Sequence, residues 1–206
     1  MYTNKPLQQI ARIVSLVFHP LMIPTIGFLL LLNSDFYFAL LPWTVKRFIL
    51  FAVFLSTGAL PMLSIGLLAI SPKFDIRMTK NTDRVLPLVL SAIFSYMGYL
   101  ILRRIAVSPI FNLFLIASIL VQVALLVVSL KWKISAHAAA IGSLVGGFFA
   151  LSYRLQENPV YTLTGLILIA GVVCSARLIL RKHTRTQVYA GFTLGFLIMN
   201  LIFLLV

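Results

Sequence analysis

A chain of 206 residues that is 61% hydrophobic and only 10% charged lacks the charge to cover a soluble domain of its size. Seventeen Lys and Arg stand against four acidic residues, Asp35, Asp75, Asp83 and Glu157, for a formal net charge of +13. The cations lie in short groups between apolar runs, which makes anionic headgroups of a lipid bilayer, and not nucleic acid, their partner. The single cysteine, Cys174, excludes an intrachain disulfide and implies no thiolate metal cluster.

Seven apolar runs fall at about Ile10 to Leu32, Phe48 to Ile70, Leu86 to Leu102, Ile110 to Leu130, Ile134 to Leu151, Val160 to Leu180 and Thr186 to Val206. Each must satisfy its own backbone in the bilayer, so the fold class is all-α: a polytopic membrane helical bundle of about six to seven transmembrane helices. The third and fifth runs are short for full spans. Lys5 and Arg12 precede the first run as in a signal peptide, but that run is too long and has no small-x-small cleavage site, so it reads as a retained span. Pro20, Pro24 and Pro61 fall inside spans and should bend or loosen them, whereas Pro42, Pro72, Pro87, Pro109 and Pro159 fall in connections or first turns. With no tandem repeat, low-complexity tract or soluble linker, residues 1–206 read as a single transmembrane domain.

In chain order, the first polar feature is His19, before Pro20. It reads as a neutral imidazole satisfied in a loosened turn rather than as a substrate contact. The loop from Ser71 to Val85 holds half of the acidic residues together with Arg77, Lys80 and Arg84. Arg77 and Arg84 are separated by six residues, so a loop entering the third span could bring forked guanidinium groups and a point-charge ammonium to one phosphate. The same cations could equally anchor helix ends in headgroups.

A short connection then leads through Lys131, Trp132 and Lys133 into Ser135, Ala136 and His137. Ser135 suits an N-cap, which places His137 in a first turn beside free backbone donors. Behind it, Ala138, Gly142 and Gly146 repeat every four residues, and Gly191 and Gly195 do the same after His183 and Gln187. Such small-residue faces let helices approach closely, and pairing them brings His137 and His183 together.

The loops after the second, fourth and sixth spans share one membrane face by alternation. The opposite face carries Lys46, Arg47, Arg103, Arg104 and Arg154, and the shared face the other twelve cations. Positive-inside bias would make the shared face cytoplasmic, but phosphate-binding cations would inflate that count, so the orientation stays open.

These patches together resemble the type 2 phosphatidic acid phosphatase superfamily. Its first motif, Lys, six residues, Arg-Pro, is similar to Arg77, six residues, Arg84-Val85; its second, Ser-Gly-His, to Ser135-Ala136-His137. Its third, Ser-Arg, five residues, His, three residues, Asp, is similar to Ala176-Arg177, His183 and Gln187. The string from His183 to Val188 also resembles the dolichyl diphosphatase branch. The motif-bearing region runs from about 77 to 195.

The resemblance implies a membrane lipid phosphatase with His183 as nucleophile, His137 as general acid and Gln187 in the place of the residue that orients the nucleophile. Arg77, Lys80, Arg84, Arg177, Ser135 and the Ala136 N–H would hold the phosphate. No metal or other cofactor is expected; three histidines and four acids show no ligand-spaced cluster. The expected partner is a membrane lipid phosphate: polyprenyl diphosphate, phosphatidic acid or phosphatidylglycerol phosphate. Gln can only accept a neutral hydrogen bond where Asp would stabilise a cation, which predicts a slower enzyme. The alternative is a catalytically weak relative that binds or transports a phospholipid headgroup. A prenyltransferase would need two acidic clusters for magnesium diphosphate, and Asp75 and Asp83 supply at most one. The expected location is the cell (inner) membrane; oligomeric state is not legible.

Overall fold

The computed structural model describes residues 5–34, 36–70, 84–105 and 108–206. In them, nine α-helices make seven segments long and apolar enough to cross a membrane, with no strand among the described residues. The first segment is α1 (Lys5–Val17) and α2 (Ile23–Leu31), and the second is α3 (Trp43–Val53) and α4 (Leu60–Leu68). The remaining five are α5 (Val85–Arg103), α6 (Pro109–Lys131), α7 (Ala136–Leu155), α8 (Val160–Ile179) and α9 (Arg185–Leu205). The third and fifth segments, of 19 and 20 residues, are long enough to span.

Prolines shape the two broken segments. Proline disfavours helical geometry in the residue before it, and His19 is extended, with ψ 139°, between the end of α1 and a 3₁₀ turn at Pro20–Met22. In the second segment Phe54–Ala59 is π-helical, just before Pro61, which has no N–H to return to the preceding turn. The hydroxyls of Ser56 and Thr57 donate there to the Ala52 and Val53 carbonyls at 2.8 and 2.9 Å. The loop from residue 71 to 83, with Pro72, Asp75, Arg77, Lys80 and Asp83, lies outside the described residues.

Helix α7 is the centre of the bundle, with Ile141, Leu144, Phe148 and Leu151 fully buried among Phe28, Phe111, Phe114 and Phe203. Its glycines set how close α9 comes. A Cβ added at Gly142 would collide with the Phe192 carbonyl, and at Gly146 with the Phe196 carbonyl. From the other side, one at Gly195 would strike the Ala139 carbonyl, and one at Gly191 would stand 2.6 Å from the Ser135 carbonyl. The two small-residue faces therefore interlock along their length, as their spacing predicts. At the far end Arg154 donates to the Phe203 and Val206 carbonyls at 3.0 and 3.3 Å, satisfying acceptors at the C-terminus of α9. Ile13, Leu16, Leu168 and Leu201 are exposed on outer faces, which in a bilayer meet lipid.

Candidate active site

Two connections on the same side of the bundle carry the histidines. Ser135 is extended and caps α7, its Oγ accepting from the Ala138 N–H at 3.4 Å, so His137 stands in the first helical turn. On the other connection α8 closes with Arg181 in the left-handed region, φ 51°. Arg181 N–H donates to the Leu178 carbonyl and Lys182 N–H to the Arg177 carbonyl, which turns the chain back toward α7. Thr184 then caps α9 in a reciprocal box: the Gln187 N–H meets Thr184 Oγ1 at 3.4 Å, and the Thr184 N–H meets Gln187 Oε1 at 3.1 Å. The Ser135 N–H donates to the Gln187 carbonyl at 3.2 Å and ties the two turns together.

Between these turns, the break after α1 and the start of α5 lies a cavity of about 480 Å³. His137, His183, Arg84, Arg177 and Ala136 line it, so five of the residues picked out from the motifs meet there. Lys133 and Lys182, which none of the three motifs specifies, line it as well. Four cations and no acidic residue among the described lining make it a site for an anion. Its apolar walls include Ile65, Pro87 and Leu88, and Leu88, Ser91 and Ala136 also border a smaller space of about 60 Å³ that runs to Phe114 and Leu125.

Four expected site residues are not found in the cavity wall or lie outside the described residues. Ser135 is fully buried, spends its Oγ on the cap and does not line the cavity. Gln187 does not line it either, because its side-chain oxygen is held by the Thr184 N–H. Arg77 and Lys80 lie outside the described residues. His19, read as an imidazole satisfied in a loosened turn, does accept there from the Leu21 N–H at 3.4 Å, and it also forms part of the cavity wall.

Hydrogen bonds define the protonation of two rings. His183 Nδ1 is 3.2 Å from the Lys133 carbonyl oxygen, which can only accept, so the neutral ring carries its proton on Nδ1 and leaves a lone pair on Nε2. A backbone carbonyl thus holds the Nδ1 side of the His183 ring, and the Gln187 side chain acts on the same ring. His137 Nε2 donates to the Ser15 carbonyl at 3.0 Å, leaving its Nδ1 unprotonated in the neutral form. Burial and then the Arg177 charge lower the His183 pKa to about 4, against weaker upward pulls from the Lys133 carbonyl and the Gln187 side chain. His183 is therefore neutral at pH 7. The guanidinium of Arg84 donates to the Ile134 carbonyl at 3.2 Å, and that of Arg177 to Ser15 Oγ at 3.2 Å. No three of His, Cys, Asp and Glu group as metal ligands among the described residues.

A multi-pass helical bundle with a cationic, histidine-lined cavity at one membrane face is the class of protein that this architecture defines. Residues 128–206 match the family model of the PAP2 superfamily, and that match bears out the resemblance over the stretch with the second and third motifs. The superfamily is of phosphatase type; the match does not reach the first motif and does not single out the dolichyl diphosphatase branch. No curated protein and no solved structure matches the chain.

Proposed function

We propose that this protein is an integral membrane lipid phosphatase that removes phosphate from a lipid phosphate monoester or diphosphate through a phosphohistidine, without a metal ion. One observation carries the reading: His183, its Nδ1–H held by the Lys133 carbonyl, keeps a neutral Nε2 for attack beside a cavity with four cations.

In the first step Nε2 of His183 attacks phosphorus and the bond to the leaving oxygen breaks. That oxygen takes a proton from Nδ1 of His137 in its doubly protonated form, whose Nε2–H stays on the Ser15 carbonyl. In the second step water attacks the phosphohistidine, His137 accepts the water proton, and the P–N electron pair returns to His183. Arg84, Arg177, Lys133 and Lys182 neutralise the phosphoryl oxygens, the largest requirement of phosphoryl transfer. With Arg77 and Lys80 outside the described residues, their share in phosphate binding rests on the motif spacing. Ser135 and Gln187 act through the caps that hold the two histidine turns. The small apolar space past Leu88 toward Phe114 would take only the first carbons of an acyl or polyprenyl tail, the rest of which would lie in the bilayer of the cell (inner) membrane.

The test is a phosphate-release screen of purified protein on polyprenyl diphosphate, phosphatidic acid and phosphatidylglycerol phosphate, with chelator present and His183→Ala as control. Release from at least one lipid, abolished in the variant, is the expected result. No release from any of them, with lipid binding retained by His183→Ala, would instead establish a headgroup-binding or transporting protein.

A further inference from the structure

Two polar residues at the cavity, Ser15 and His19, belong to neither the motifs nor the stretch matched by the family. His19 lines the cavity from the break in the first segment, and Ser15, in the last turn of α1, bonds two of the lining side chains. Because α1 ends at Val17, the Ser15 carbonyl lies in the last helical turn and accepts from His137 Nε2 at 3.0 Å. The hydroxyl of the same residue accepts from Arg177 at 3.2 Å, and Ser15 is only 8% exposed. One serine thus fixes the general acid from α7 and a phosphate clamp from α8 together. The Nε of Arg177 is buried without a partner among the described residues, so Ser15 is the protein contact that orients this guanidinium.

Four residues on, His19 lies in the cavity wall with its ring edge-on to that of His137, centroids 5.6 Å apart. Its Nδ1 accepts from the Leu21 N–H at 3.4 Å, which places the ring proton on Nε2. Among the described residues no acceptor meets that Nε2–H. A donor with no partner among the described residues, in the wall of an anion cavity, is suited to an oxygen of the bound phosphate. His137 shows the opposite pattern, its proton engaged by protein and its other nitrogen unprotonated.

We propose that the first transmembrane segment is part of the phosphate site: His19 Nε2–H donates to a phosphate oxygen, and Ser15 is the positioning residue for His137 and Arg177. The proposal deepens the phosphatase reading and rests on it for the identity of the anion, but it is tested through binding as well as turnover.

The experiment titrates inorganic phosphate into purified protein in detergent, reading Kd from protection against thermal unfolding, and measures KM and kcat on the lipid that wild type hydrolyses. Removing a hydrogen bond to a charged oxygen costs about 10- to 100-fold in affinity. His19→Ala is expected to raise the phosphate Kd and KM by that factor, with the ligand-free unfolding midpoint little changed. His19→Gln, which keeps an N–H donor, should recover most of the loss. Ser15→Ala should lower kcat/KM about tenfold while the backbone carbonyl stays in place. A Kd for His19→Ala within twofold of wild type overturns the proposal, as does a loss that follows the unfolding midpoint and is not recovered by glutamine. Should His19→Ala fail to fold, His19→Gln and Ser15→Ala decide: wild-type kcat/KM in Ser15→Ala and a tenfold worse Kd in His19→Gln overturn it. If wild type binds phosphate but hydrolyses no lipid, the phosphatase reading falls and the Kd comparison still decides this one. A wild type that binds no phosphate overturns both.

Discussion

The Lys133 carbonyl holds the proton of the neutral His183 ring on Nδ1, and in the proposed reaction this leaves Nε2 for attack. A neutral imidazole is the reactive form, and burial together with Arg177 keeps it neutral by lowering its pKa from 6.5 to about 4. In profiles of kcat/KM corrected for substrate ionisation, the acid limb is therefore expected near pH 4; a limb at the ordinary histidine value of about 6.5 would contradict this environment. The two histidines and their spacing were legible in sequence, because His137 lies in the first turn of α7 and His183 just before the cap of α9. The role of residue 187 was not. Gln187 at that position raised the expectation of a poorly oriented nucleophile, but the His183 ring is also held by a backbone carbonyl, which every residue carries and no motif can record.

At the scale of elements, the α7–α9 pair holds the site, and its glycines are the feature that sequence exposed most clearly. Gly142 and Gly146 on one helix and Gly191 and Gly195 on the other place backbone against backbone, so an added methyl has no side chain to displace. Gly195→Ala is expected to destabilise the protein by about 1–3 kcal/mol and to lower activity by moving His183 relative to His137. Gly165→Ala on α8 is the control, since a Cβ there meets nothing within 4 Å and alanine favours a helix by about 0.5–1 kcal/mol. Thermal unfolding of the two variants in detergent checks the contrast; equal midpoints would show that the close approach is not needed. The breaks inside the first two segments were also readable, since Pro20 and Pro61 lack the N–H that a continuous helix needs. That the first break exposes His19 to the cavity depends on where α1 packs against α7 and α8, a long-range arrangement outside any local pattern.

For the whole molecule, seven spans place the Trp132 connection and the Arg185 helix start on one face and Gln156 on the other. Single cysteines at these positions in a Cys174→Ser background test this with a membrane-impermeant thiol reagent. Trp132→Cys and Arg185→Cys should label from the same side and Gln156→Cys from the opposite one; labelling of the first two from opposite sides would break the shared site apart. The count and boundaries of the spans were legible because the bilayer demands long apolar runs with internally satisfied backbones. Their packing order was legible only where small residues marked it. Arg77 and Lys80 lie outside the described residues and Arg84 is the part of the first motif that lines the cavity, so the site rests structurally on Arg84, Lys133, Arg177 and Lys182.

The central claim is that Nε2 of His183 forms a bond to phosphorus, and the most direct measurement is to capture that intermediate. Protein mixed briefly with lipid radiolabelled at the phosphoryl group, quenched in alkali and digested, is expected to yield one labelled peptide containing His183. The label should be acid-labile and should disappear in His183→Ala. Steady phosphate release with no label on His183, or equal release by His183→Ala, would contradict the account.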